Sequence, residues 1–374
     1  MRVEDRTISS IADEWEALAD RVQAGPFSRP GWLSSWWDAY GRGNLHILTV
    51  RDGDRLTALL PVIGSGSSVR SPTNVETPLY GILAETAAAG ERLVDVLLST
   101  GARRIELSLL DPNDKGYDAL MDALAAAEFR TMTRPVLLSP FLSTEGEWTS
   151  YQQTINAKKR SEMRRRRRKL EAMGDLTFEV LEPFEDLEGL LDEGFRIEAS
   201  GWKGAYGTAI NSDTHSRRFY ENVARWAARQ GWLRLAFLRL DGRPIAFDLS
   251  LEVGGVHYLL KTGYDQEFGK YGPGVIMRST MLERCFTGPI ERYEFLGTVV
   301  GANNTWKLNW TDRYHERLRV DAFAPSLLGT AAWSTFTYLE PLSQRARTAT
   351  ASALGPSGRD RVKRWNRRIR QVLP

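Results

Sequence analysis

The chain has 374 residues, 42% hydrophobic and 26% charged, the balance of an ordinary water-soluble protein long enough to bury two cores. Its apolar runs, such as Ala58–Ile63 and Val96–Leu98, are far too short to span a bilayer, and Met1–Asp5 starts no apolar leader, so a cytoplasmic protein is expected. The net charge of +3 hides two basic blocks: Lys158–Lys169 holds nine cations beside Glu162, and Arg345–Pro374 holds nine beside Asp360, so each nets +8 and the remainder nets about −13.

The first part of the chain mixes helices and strands. Trp15 and Leu18 fall in a first helix, and FSRPGWLSSWWDAY (Phe27–Tyr40) opens a second. LHILTV, a turn at Arg51–Asp54 and LTALLPVI spell a hairpin. The Ser- and Gly-rich stretch Gly64–Thr77 reads as an exposed loop. A helix near Glu91–Ser99, a strand at Arg104–Leu109, a helix over Tyr117–Ala127 and a strand beginning at Val136–Leu138 follow.

The basic block Lys158–Lys169 is helical in pattern, with Ile155, Met163, Leu170 and Met173 as a thin apolar seam. A merely solvated face does not account for so many like charges at i,i+4, which repel; an anionic partner would relieve them. Next, WLRLAFLRL, the Asp241-Gly242 turn, IAFDLSLEV, the Gly254-Gly255 turn and VHYLLKTGY predict a three-stranded meander. TVRDGDRLTALLPV and LRLDGRPIAFDLSL resemble each other with one gap, which suggests two α/β lobes of one type, although recurring Asp-Gly turns explain the likeness equally well.

After the meander, Gly269, Gly272, Pro273 and Gly274 punctuate a turn into a helix whose apolar face carries Met277, Met281, Leu282 and Cys285. Such a junction offers backbone N–H groups and the positive end of a helix dipole to a phosphate. Cys285 reads as a small buried hydrophobe rather than a nucleophile. His46, His215, His257 and His315 show no ligand spacing, so no metal is expected. In the tail, Val362, Trp365, Ile369 and Val372 form a helical stripe opposite arginines, suited to docking on the protein's own body or on an anionic membrane surface.

FSRPGWLSSWW, KKRSEMRRRRRKLEAMG, SGWKGAYGTAI, RFYENVARWAARQGWLRLAFLRLDGRPIAF, GYDQEFGKYGPG, YEFLG and WKLNW, in that order, resemble the GNAT superfamily of N-acetyltransferases. Within it the likeness is to the double-lobed CelD-like branch, related in fold to the Fem peptidoglycan aminoacyltransferases, and it spans Val3–Phe323. The resemblance implies an α/β fold (α+β, mixed sheets) of two tandem GNAT-like lobes, each a mostly antiparallel central sheet flanked by helices. The expected limits are 1–150 for the N-terminal lobe, 151–330 for a C-terminal lobe with the cofactor site and 331–374 for a basic helical tail.

What the resemblance implies for the site is an acyl-CoA arm lying where one strand splays from its neighbour, with strand amides polarising the thioester carbonyl. Here the strand would be Tyr258–Tyr264, contributing Lys261, Thr262, Gly263 and Tyr264, and its partner Ile290–Leu296. The turn would cup the pyrophosphate with Gly269, Lys270, Tyr271, Gly272, Gly274 and Val275. The family's cofactor motif is Gln or Arg, two residues, Gly, one residue, then Gly or Ala. Counting from Gln266 puts Tyr271 at the second small position, whereas counting from Gly269 aligns Gly272 and Gly274 without the Gln or Arg; the second register keeps the glycines.

An acceptor amine must lose a proton, which a carboxylate in the cleft can take. Glu294 in ERYEFLG is the first candidate and Asp248, an acid inside the apolar strand IAFDLSL, the second; an ion pair or a solvated strand face is the competing reading of each. Trp202, Lys203, Trp306 and Lys307 come from family-like motifs and are candidate substrate contacts. The expected activity is transfer of an acyl group, acetyl first, from acetyl-CoA or another acyl-CoA to an amine of a small molecule or cell-envelope precursor. The alternatives are a Fem-like transferase using aminoacyl-tRNA held at the Lys158–Lys169 helix, or a non-catalytic binder of nucleic acid or anionic surfaces.

Overall fold

The computed structural model of the chain describes residues 7–65, 67–182, 185–200, 210–299, 306–335 and 337. Helix α1 (Ala12–Arg21) buries Trp15 and Leu18, and α2 (Pro30–Tyr40), started by a proline at its first position, buries Trp32, Leu33 and Trp36. The hairpin β1 (Asn44–Asp52) and β2 (Arg55–Ser65) follows, then β3 (Ser68–Arg70), β4 (Leu83–Ala84), α3 (Ala87–Ser99), β5 (Arg104–Leu110), α4 (Lys115–Ala126) and the 14-residue β6 (Arg130–Ser143).

Next come α5 (Trp148–Thr154), α6 (Ala157–Glu171), β7 (Leu176–Leu181), α7 (Leu187–Ser200) and α8 (Thr214–Arg229). The meander is β8 (Leu233–Leu240), β9 (Arg243–Val253) and β10 (Val256–Tyr264), as its turns predict. Asp241 and Gly242 have φ of 50° and 79°, and Gly254 and Gly255 have 55° and 73°, the paired positive values of two-residue turns that match strand twist. A 3₁₀ turn (Gln266–Tyr271) leads into α9 (Pro273–Thr287), then β11 (Arg292–Glu294), β12 (Thr298–Val299), β13 (Tyr314–Phe323) and α10 (Leu327–Ser334).

The strands join into one sheet in the order β1-β2-β3-β5-β13-β6-β11-β10-β9-β8-β7, with β4 on β2 and β12 on β6. It is mostly antiparallel; the parallel pairs are β3–β5 and β10–β11. β6 spans the middle, pairing β13 from Arg130 to Pro140 and β11 from Phe141 to Ser143. β13, although late in the chain, fills the slot between β5 and β6.

Three apolar cores cover the sheet. One lies between α1, α2, β1 and β2 from the first half and α7, α8, β8 and β9 from the second, so a single helix layer serves both halves. The second packs α3 and α4 on the opposite face of the first half, and the third packs α5, α6 and α9 on the opposite face of the second. Cys285 is buried in the third core.

Two local expectations change. The Ser- and Gly-rich stretch is not an exposed loop: β3 pairs with both β2 and β5, and Val69, Ser71 and Thr77 are buried. Its composition reports weak local propensity, while its neighbours on both sides supply the hydrogen bonds. The seam of α6 is also shorter than expected, since Met173 is exposed while Ile155 and Leu170 are buried. The tail stripe Val362, Trp365, Ile369 and Val372 lies outside the described residues.

Candidate functional site: a cavity at a parting of two strands

β10 runs beside β11 only from Val256 to Tyr258, where Tyr258 opposes Glu294. Its pairing with β9 continues to Tyr264. β11 meanwhile ends at Glu294, and Leu296 takes the left-handed conformation at φ 57°, rare for a leucine. The chain then rejoins β6 through β12 at Leu138 and Leu137. The expected partner strand Ile290–Leu296 is therefore three residues long, because its C-terminal half turns away to β6. A cavity of about 750 Å³ occupies the gap, walled by Leu259–Tyr264 on one side and Phe295–Gly297 on the other.

Side chains of β10 alternate across this gap. Thr262 faces α9, where it meets Arg278 at 3.5 Å. Lys261 faces α8: its Nζ lies 3.0 Å from Glu76 Oε2 and 4.8 Å from the Tyr220 ring centroid. Gly263 lies against α7 so closely that a Cβ there would sit 2.5 Å from the Cα of Glu198. Only glycine permits that approach.

At the cavity mouth, Gly272 caps α9 in the left-handed region at φ 65°. A side chain there would be strained and would also collide with Arg166, whose Nη1 lies 2.3 Å from the Cβ position. Gly269 differs, since a Cβ there meets its neighbours at ordinary contact distance of 3.5 Å or more. Pro273 carries no N–H, and the amides of Val275 and Ile276 donate to the Gly272 carbonyl at 3.0 and 3.3 Å. Among these first helical residues Gly274 is therefore left as the amide without an intrahelical acceptor.

The charge missing from that narrow cradle comes from α6, which packs beside it. Lys159 and Arg166 line the cavity, Arg167 donates to Thr280 of α9 at 3.0 Å, and Leu170 anchors the helix in the core. Glu162 accepts from Arg165 and Arg166 at 2.7 Å, and those hydrogen bonds hold its carboxyl at about 2. Across the cavity, Lys307 donates to the carbonyls of Leu296 and Gly297 at 3.0 and 2.9 Å, which ties the segment carrying Trp306 to the wall.

Beneath β10 lies a buried polar group. Arg278, 1% exposed, pairs with Asp248 at 2.9 Å and donates to the Tyr293 hydroxyl, and its guanidinium lies 5.7 Å from the Trp306 ring centroid. Burial pulls the arginine's pKa down and Asp248 opposes that pull. At the closed end, where β10 and β11 still pair, His257 is fully buried against Tyr293, with Nδ1 3.0 Å from Glu252 Oε1. Burial holds its pKa below the usual histidine value.

The structure gathers Lys261, Thr262, Gly263, Tyr264, Gly269, Gly272, Gly274, Val275, Trp306 and Lys307 on the cavity wall. Lys270 and Tyr271 sit beside the cradle, with the lysine Nζ 4.9 Å from the Tyr271 ring centroid, and do not line the cavity. Neither carboxylate singled out from the sequence lines it either. Glu294 belongs to the closed end and pairs with Arg292 at 2.9 Å and His315 at 3.4 Å, and Asp248 is the buried partner of Arg278. Trp202 and Lys203 lie outside the described residues.

Among the described residues, the carboxylates on the wall are Glu76, Glu162 and Glu198. Glu198 had a sequence signal: with Leu191, Gly194 and Phe195 it completes the buried face of α7, and an acid on such a face requires a polar purpose. Arg278 carries the same signal beside Met277, Met281 and Leu282. Among the described residues no group of three or more His, Cys, Asp and Glu could hold a metal ion, and no helix is long and apolar enough to cross a membrane.

Residues 157–308 match the family model of the acetyltransferase (GNAT) domain. No curated protein is a significant sequence match. Among solved structures, FemX is similar over 85% of this chain and 97% of its own, at 14% identity and a TM-score of 0.55. L-PGS from Bacillus licheniformis covers 85% of this chain and 94% of its own, at 15% identity and a TM-score of 0.53. A conserved protein of unknown function from Bacteroides thetaiotaomicron covers 86% and 98%, at 11% identity and a TM-score of 0.56. The match to the acetyltransferase (GNAT) domain thus falls on the half of the chain that holds the strand parting, and the chain as a whole shares its fold over most of its length with these structures.

Proposed function

We propose that the chain is an N-acyltransferase that moves an acyl group from an acyl-CoA, acetyl-CoA first, to an amine. The observation that carries this reading is the parting of β10 from β11 after Tyr258, with a glycine-capped helix start at the mouth of the same gap. The residues fit such a donor. Gly274, Lys159 and Arg166, which line the cavity, would meet its phosphates, and the edge of β10 from Leu259 to Tyr264 would hydrogen-bond an extended pantetheine arm. An acyl thioester supplies an activated carbonyl carbon. Amides of β10 beside that carbonyl would stabilise charge developing on its oxygen, and the closed end fixes the strand that presents them.

The test is calorimetric titration of the purified protein with CoA and acetyl-CoA, followed by thiol release in the presence of amines. Binding with thiol release is expected, and failure to bind any acyl-CoA overturns the reading. A second reading, aminoacyl-tRNA as donor, is favoured by the outward row of α6. Lys158, Arg164, Arg165, Arg168 and Lys169 are exposed cations beyond those that meet the cavity. Retention of charged tRNA that falls steeply with salt would support it.

A further inference from the structure

The acyl group that the donor carries has its own signature on the cavity wall, and this inference rests on the acyl-CoA reading, which it deepens. The last pair of β10 with β11 is Tyr258 with Glu294, so the first residues past the parting are Leu259 and Phe295. Both line the cavity, both are buried, and both belong to the third core, on the α6–α9 side of the sheet. Ile155, Met163, Trp306 and Trp310 line the cavity with them and belong to that core or pack against it. The cavity therefore opens into an apolar branch where the strands part, and an acetyl group would cover little of it. The wall of the branch is held in place. The Tyr151 hydroxyl donates to the Trp310 carbonyl at 2.6 Å and Lys159 donates to Asn309 Oδ1 at 2.9 Å, which fastens the turn carrying both tryptophans to α5 and α6. Arg278 is engaged by Asp248, Thr262 and Tyr293, so an acyl group ending in a carboxylate would have to compete with Asp248 for it. The pantetheine arm does not suit the branch either, because its amides need hydrogen-bond partners that six apolar side chains do not offer.

We propose that this branch takes the hydrocarbon chain of a medium-chain fatty acyl donor, so that octanoyl-CoA is preferred to acetyl-CoA. The chain would leave the thioester between Leu259 and Phe295 and run beneath α6 against Met163 and the two tryptophans. Met163 is the adaptable part of the wall, since an unbranched thioether fits itself to chains of differing shape. The cavity of about 750 Å³ must also take the pantetheine arm, which bounds the chain at medium length. The α7–α8 side of the gap is left to the acceptor.

The experiment is calorimetric titration of wild type, Met163→Trp and Met163→Ala with CoA and with its acetyl, butyryl, hexanoyl, octanoyl, decanoyl and dodecanoyl thioesters. For the wild type, each two-carbon step up to octanoyl should tighten binding by roughly tenfold, as the burial of two methylenes predicts, and the gain should then level off. Met163→Trp, which fills the branch, should lower the ratio of octanoyl to acetyl affinity by roughly a hundredfold. Met163→Ala should carry the gain one step further, to decanoyl. The ratio is read within one protein, so a variant that only folds less well leaves it where it was. Three results overturn the acyl assignment and leave the donor reading standing: octanoyl-CoA bound no more tightly than acetyl-CoA, a ratio that neither variant moves, or a gain that continues undiminished to dodecanoyl, the mark of chains adhering to the surface. A wild type that binds none of the series overturns the donor reading and this assignment with it.

Discussion

Asp248 and Arg278 are 0% and 1% exposed, so separating the two charges is costly. Removing one partner of a buried pair leaves a bare charge where water cannot reach, at about 3–5 kcal/mol, whereas removing both can be nearly neutral. Arg278→Met should therefore lower unfolding free energy by about that amount in urea melts, and Arg278→Met with Asp248→Asn should recover most of it. A loss below about 1 kcal/mol for the single change would mean that the pair does not hold β9 to α9. The acid in IAFDLSL was visible in the sequence as an oddity; its answer, Arg278 on the buried face of α9, was not singled out there. What the letters did not tell was that the two would meet, since strand and helix lie 30 residues apart. Glu76 was less legible still: it sits outside any periodic segment, and its place on the wall comes entirely from tertiary packing.

At the scale of elements, the turn into α9 and the helix α6 form one device. A backbone cradle reduced to the Gly274 amide in its first turn needs side-chain cations, and α6 supplies them because Met163 and Leu170 fix its rotation against the third core. Gly272→Ala should cost about 1–3 kcal/mol from its left-handed backbone and displace Arg166, whereas Gly269→Ala should stay within about 0.5 kcal/mol of wild type. Arg166→Gln should weaken CoA roughly tenfold in calorimetry, the loss of about one charge-assisted hydrogen bond, with little effect on the melting midpoint. Period-2 runs and Asp-Gly or Gly-Gly turns made the meander legible residue by residue. β3 was not, because three residues with weak propensity become a strand only when flanked by β2 and β5.

For the whole molecule, the resemblance anticipated two lobes, but no local pattern shows that their strands join or that β13 closes the first half. Val320, fully buried in β13, packs in the core of α3 and α4, although β13 comes after the whole second half of the sheet in the chain. With β6 continuous through the sheet and one helix layer serving both halves, unfolding should be a single transition, with calorimetric and van't Hoff enthalpies equal. Val320→Ala should shift that one midpoint by about 2 kcal/mol of stability rather than split it; two separated transitions would show that the halves unfold independently. The position of β13 also orders events on the ribosome. The facing edges of β5 and β6 emerge early and must wait for the strand that fills the slot between them, which is made only after the residues of the cavity wall. Until then the nascent first half carries two open edges, so the first half of this chain is where a holding chaperone would be needed, and the last of the described strands is the one that releases it.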